Sequence, residues 1–122
     1  MTDTQRKELV RSYLGKRVTI GIDRPIGYVH EKKDGTRLLY PINYGYIPGV
    51  LGGDGEELDV YLLGVDTPVE EYTCRIIGIV YRRNDVEDKL IAAPEGMEFT
   101  AGQMATAVHF QEQYYDSYVE TL

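Results

Sequence analysis

The sequence predicts a mainly β protein with flanking helices, closed into a small barrel, and three observations predict it. The apolar runs are short, rich in β-branched and aromatic residues, and bounded by turn residues. Helical periodicity is confined to the two ends. Between them runs no strand-helix-strand alternation of the kind a parallel sheet requires, so hairpin-joined strands are expected to close on themselves. With no internal repeat, low-complexity tract or linker, residues 1–122 read as one domain.

The elements follow in order. Thr2 and Gln5 stand at capping-box spacing, Leu9, Val10, Tyr13 and Leu14 form an apolar stripe, and Gly15 supplies a stop, so residues 3–14 read as a short helix, a lid or packing arm. Val18, Ile20 and Ile22 alternate with Arg17, Thr19 and Gly21 as a strand with one wet face does, and Pro25 ends it. The Asp34-Gly35 pair within Lys32-Lys33-Asp34-Gly35 predicts a hairpin between residues 26–31 and 36–40. The two Pro and two Gly between Tyr40 and Gly49 predict an ordered loop rather than a regular strand. Leu58–Val65, Tyr72–Tyr81 and Leu90–Ala93 read as strands. From Thr100, the residues Met104, Ala107, Val108, Gln111, Tyr114, Tyr115 and Tyr118 recur at three and four, which predicts an amphipathic helix. The expected order is helix, five or six short strands, helix.

Composition excludes several functions. Thirteen Lys and Arg against 20 Asp and Glu give a net charge of -7, which repels polyanions, so nucleic acid is not an expected partner. No apolar stretch has the length of a membrane span and no signal peptide is evident, so a soluble, cytoplasmic protein with no membrane partner is expected. The single cysteine, Cys74, lies in an apolar run and reads as a small core residue. Eleven Tyr with no Trp, several of them off any core period, suggest a hydroxyl-lined pocket. His30 and His109 lack metal-ligand spacing and read as structural, and Arg82-Arg83 reads as a solvated strand end.

Gly52-Gly53-Asp54-Gly55-Glu56-Glu57-Leu58-Asp59-Val60 places four carboxylates within six residues. Such crowding is electrostatically costly without a cation. Oxygen donors with no Cys or His nearby suit a hard ion, Mg²⁺ or Mn²⁺, better than Zn²⁺. Taken alone, the pattern reads first as a solvated β-turn.

Together, Tyr40-Pro41-Ile42-Asn43-Tyr44-Gly45-Tyr46-Ile47 and Asp54-Gly55-Glu56-Glu57-Leu58-Asp59-Val60 are similar, in residues and spacing, to the Tyr-Pro-x-Asn-Tyr-Gly and Asp-x-Asp-Pro-x-Asp segments of family I soluble inorganic pyrophosphatases. The stretch Asp85-Val86-Glu87-Asp88-Lys89-Leu90-Ile91-Ala92-Ala93-Pro94 resembles that family's acidic loop and Lys-bearing strand, and the likeness covers roughly residues 17–116. The resemblance implies a closed five-stranded OB-like barrel with flanking helices and Mg²⁺-dependent hydrolysis of pyrophosphate to phosphate. It implies Glu56 and Tyr44 as catalytic residues and Asp54, Asp59, Glu87 and Asp85 as metal ligands. Lys89, Tyr114, Tyr40 and Arg37 would bind the substrate, a small phosphoanhydride. A homo-oligomer is compatible with it.

The chain departs from the family pattern at several positions. Glu56 stands where the family has Asp, Gly21 where it has an acid, Gly27 and Val29 where it has Lys and Glu, and Tyr115 where it has a phosphate-binding Lys. The family's Arg before the Tyr-Pro segment has no certain equivalent, with Arg37 or Lys32 as candidates. The cationic half of the pocket is therefore expected to be thinned. Two alternatives follow: a hydrolase of a substituted diphosphate of nucleotide or sugar type, or a catalytically impaired metal- and phosphate-binding relative.

Overall fold

The computed structural model describes residues Met1–Leu122. Its first element, α1 (Asp3–Tyr13), begins on the capping box the sequence carries. The Thr2 hydroxyl accepts from the Gln5 N–H at 3.1 Å, and the Gln5 side chain accepts from the Thr2 N–H at 2.8 Å. Seven strands follow: β1 (Arg17–Arg24), β2 (Val29–Glu31), β3 (Arg37–Leu39), β4 (Asn43–Leu51), β5 (Glu57–Leu62), β6 (Glu71–Arg82) and β7 (Lys89–Ala93). Helix α2 (Ala101–Glu112) and a last strand, β8 (Ser117–Thr121), complete the chain.

Strands β1, β4, β5, β7 and β6 pair in that order, and β6 pairs back onto β1, closing a five-stranded barrel. All pairings are antiparallel except β5 with β7. Strand β6 is long enough to serve two partners on one edge. Its first half, Glu71–Arg75, pairs with β1, and its second half, Gly78–Arg82, pairs with β8. The β2–β3 hairpin stands apart as a two-stranded sheet.

Two apolar clusters use opposite faces of the same strands. Ile20, Ile47, Leu58, Val60, Leu62, Cys74, Ile76, Ile79, Leu90 and Ala92 come from all five barrel strands and fill its interior, with Val10 of α1 added. Tyr44, Tyr61, Val80 and Ile91 point the other way and are covered by Met104 and Val108 of α2. Burial on both faces explains why β5, β6 and β7 read as nearly continuous apolar runs.

Three expectations need correction. Tyr40–Gly49 is not a loop, because Asn43–Leu51 forms β4, paired on both edges. Its Pro and Gly are accommodated where the ladder does not need them. Pro41 precedes the strand, and Pro48 and Gly49 fall in the interval between Tyr46 and Leu51 where the register with β5 shifts. Gly45 is required rather than tolerated, since a Cβ there would lie 1.8 Å from the Gly21 carbonyl oxygen. Gly21 in turn makes room for the Tyr46 ring, which a Cβ would meet at 2.7 Å. The C-terminal helix stops at Glu112 rather than running to Tyr118, and the strands number eight rather than five or six. Tyr118 alternates as a strand residue and stacks on its cross-strand partner Tyr81, ring centroids 5.0 Å apart, so β8 satisfies the edge of β6 that β1 leaves open. No helix is long and apolar enough to cross a membrane.

Candidate active site

Strand β7 begins with Lys89, and this side chain organises the site. Its ammonium donates to the Tyr44 hydroxyl at 2.5 Å, to Asp59 at 2.8 Å and to Glu87 at 2.6 Å, which uses all three of its protons. Tyr44 comes from β4, Asp59 from β5 and Glu87 from the β6–β7 loop, so three chain segments meet on one buried charge. Asp59 and Glu87 thus meet on one ammonium. Burial, with the bond to Asp59, pushes Glu87 up to about 7 against the pull of Lys89. Asp59 is held below its ordinary value, because bonds from Glu87 and Lys89 outweigh its burial. Burial, followed by the charge of Asp59, raises the Tyr44 phenol well above its usual range and keeps it a proton donor.

Arg82 closes β6 beside this cluster. The expectation of a solvated strand end holds for Arg83, which is exposed, and fails for Arg82, which is 2% exposed. Its guanidinium clamps both oxygens of Glu112, at 3.0 and 2.7 Å, and donates to Asp85 at 3.2 Å. Glu112 arrives there because Met104, Val108 and Glu112 lie four residues apart on the buried stripe of α2. The connecting loop is pinned from outside. Asp88 accepts from the Arg82 backbone N–H at 3.2 Å and from the Arg6 side chain of α1 at 2.8 Å, so α1 acts as a packing arm.

A hydroxyl relay backs the site, in keeping with the excess of tyrosine. Arg24 donates to the Tyr40 hydroxyl and Tyr40 to Gln111, both at 2.5 Å. Gln111 donates to Tyr61 at 2.8 Å and Tyr61 to Glu112 at 2.6 Å, where Arg82 is met again.

Two cavities adjoin at Asp23 and Asp59. The inner, about 250 Å³, is walled by these carboxylates, by Tyr44, Glu87 and Lys89, and by Arg24, His30, Lys32, Arg82, Gln111, Tyr114 and Tyr115. The outer, about 350 Å³, is lined by Asp23, Tyr46, Glu56, Glu57 and Asp59 and carries no cation. The structure therefore gathers Tyr44, Asp59, Glu87, Lys89 and Tyr114 around the inner cavity. Tyr40 is fully buried behind it, and Asp85 is bonded to Arg82. Glu56 faces the outer cavity. Asp54 and Arg37 line neither; Asp54 accepts from the Glu56 backbone N–H at 3.0 Å and caps its own turn.

Sequence reasoning missed Asp23, Arg24, Arg82 and Glu112. Register slips between Ile22 and Arg24, so Asp23 is an extra residue opposite β4, and both it and Arg24 reach the cavity. A charged pair closing an alternating strand just before Pro25 was the available signal. Neither Arg24 nor Lys32 has a carboxylate partner; the Lys32 ammonium rests 3.8 Å from the Tyr114 ring centroid.

The donor set decides what metal the residues fit. No three His, Cys, Asp or Glu side chains surround a common point. Asp23 and Asp59 nevertheless stand together on oxygen-only walls, and burial raises Asp23 above its usual value, with the Asp59 charge adding to the rise. The outer cavity that they share has no cation in its lining, and its carboxylates fit a hard ion held by one or two of them, water and substrate oxygens.

A closed five-stranded barrel carrying carboxylates, lysine and tyrosine on its outward face defines a class, and comparison with known proteins gives the family. The family model described as "Pyrophosphatase: Inorganic pyrophosphatase" matches residues 15–119, and the chain belongs to that family. An inorganic pyrophosphatase of Rickettsia prowazekii is 32% identical over 83 residues, 57% of this chain and 48% of the relative. One of Saccharolobus solfataricus is 44% identical over 63 residues, 48% of this chain and 37% of the relative. The chain thus spans about half the length, or less, of the curated relatives it matches. The crystal structure of an inorganic pyrophosphatase from Ehrlichia chaffeensis shares the fold, with a TM-score of 0.63 over 88% of this chain and 87% of that one at 19% identity. The family implies a divalent metal in general, without fixing which.

Proposed function

We propose that the chain hydrolyses inorganic pyrophosphate to phosphate with Mg²⁺ as its divalent ion, Mn²⁺ being the closest substitute. The observation that carries this reading is the position of Asp59, which belongs at once to a cavity with four cationic side chains and to one with only carboxylates and Tyr46. A phosphoanhydride bridging the two would meet positive charge at one end and an ion-binding wall at the other.

Asp23 and Asp59 would hold the metal, which when bound supplies Lewis-acid charge to phosphate oxygens and acidifies the attacking water. Arg24 and Lys32, the cations without carboxylate partners, offer free N–H donors to the phosphate that departs. Arg24 is held by the relay through Tyr40, so its donors are set before the substrate arrives. Lys89 fixes the Asp59 carboxylate, and the Tyr44 hydroxyl, kept protonated by burial, orients whatever oxygen approaches Asp59. Glu56, on the outer wall with Asp59, is the carboxylate that accepts the water proton. The cationic half of the pocket is supplied by Arg24 and Lys32 on this reading, and not by Arg37.

Phosphate release from pyrophosphate, a nucleoside diphosphate and a sugar nucleotide, each with Mg²⁺, Mn²⁺ and Co²⁺, tests the proposal. Pyrophosphate is expected to be the preferred substrate by at least tenfold. Preference for a substituted diphosphate would move the assignment to that class, and binding without turnover would make the protein a sensor rather than an enzyme.

A further inference from the structure

Two carboxylates near the inner cavity are already neutralised by the protein itself. Glu87 accepts from Lys89 at 2.6 Å, and its other oxygen lies 3.6 Å from Arg82. Asp85 accepts from the same Arg82 nitrogen at 3.2 Å. Arg82 is not free to leave. It is 2% exposed, clamps both oxygens of Glu112, and lies 3.6 Å from the Tyr115 ring centroid. A guanidinium cannot shed its proton in a protein, so this charge is permanent. Three of its N–H groups are taken by Glu112 and Asp85, so Arg82 holds carboxylates first.

We propose that Arg82 is a built-in cation of the active site, neutralising Asp85 and Glu87 in place of a divalent ion, so that the chain binds one divalent ion only, at Asp23 and Asp59. The Tyr61 bond to Glu112 and the relay behind it hold the clamp at its fixed position, which makes Arg82 a positioning residue and a determinant of metal stoichiometry. The single ion at Asp23 and Asp59 rests on the metal-dependent reading above; the role of Arg82 does not.

Counting bound Mn²⁺ by the electron paramagnetic resonance of the free ion, without substrate, tests the inference on the full chain. Wild type is expected to bind one Mn²⁺, lost in Asp59→Asn. The double variant Arg82→Gln/Glu112→Gln removes both charges of the clamp together and is expected to bind a second ion, lost again when Glu87→Gln is added. A wild-type count of two or more overturns the proposal, and so does a folded double variant that binds no more than wild type. If that variant does not fold by circular dichroism, the wild-type count decides alone. A count of none in wild type with one in the double variant upholds the built-in cation and removes the metal-dependent reading instead.

Discussion

Asp59 and Lys89 meet at 2.8 Å on the seam between the two cavities, and this pair ties the barrel to its chemistry. Lys89 is placed by the start of a buried strand and Asp59 by its parallel neighbour β5, so the barrel's own pairing sets their approach. The ammonium is fully bonded and 3% exposed, which leaves Asp59 as the side of the pair that faces incoming groups.

Replacing Lys89 by Met keeps the volume and removes the charge, leaving Asp59, Glu87 and the Tyr44 hydroxyl facing one another. Breaking a buried pair in this way costs about 3 kcal/mol. Urea denaturation should show that loss, and Mg²⁺ should restore more stability to Lys89→Met than to wild type because it replaces the missing cation. A change below about 1 kcal/mol, the size of an exposed pair, would count against this role.

Helix α1 is pinned to the β6–β7 loop through Arg6, whose partner Asp88 is fully buried. Arg6→Met should cost about 3 kcal/mol and raise amide hydrogen exchange in residues 3–13 and 83–88 before it does so in β6. Uniform protection across these segments would contradict the staple.

In metal-free protein, Glu87 gives a stability slope of predictable sign. Its folded value of about 7 lies above the ordinary 4.5, so its contribution is fully present below pH 4.5 and is lost as pH rises to about 7. The Tm of chelated wild type should fall more across that window than the Tm of Glu87→Gln. Parallel curves would show that the burial of Glu87 beside Asp59 does not carry the effect.

Cys74 is 1% exposed, and burial pushes its thiol up to about 11. Alkylation by iodoacetamide at pH 8 should be negligible in the native state and rapid in denaturant. Native modification at a model thiol's rate would place Cys74 outside the core.

Much of the fold is legible in the sequence because local chemistry and tertiary structure agree there. Thr2 with Gln5 caps α1 as its spacing indicates, and Asp34-Gly35 turns the β2–β3 hairpin. Legibility fails where one element is rescued by another. β4 is a strand because Gly45 lets β1 approach and because Pro48 lies in a gap of the ladder. β8 ends the helical period because β6 has an open edge that Tyr118 can cover. In the site, the tyrosine and acidic motifs mark their own positions, whereas Arg24 depends on a bulge and Arg82 on Glu112 thirty residues away. Charges that find partners only across the fold look like surface in a linear reading.

Phosphate release from pyrophosphate by the full chain with Mg²⁺, measured beside Asp59→Asn, is the most direct test of the proposed activity. Wild type should release phosphate only with the metal, and Asp59→Asn should lose roughly a hundredfold or more, with the far-ultraviolet circular dichroism unchanged. Wild type inert with Mg²⁺, Mn²⁺ and Co²⁺, or an Asp59→Asn variant as active as wild type, would contradict the proposal.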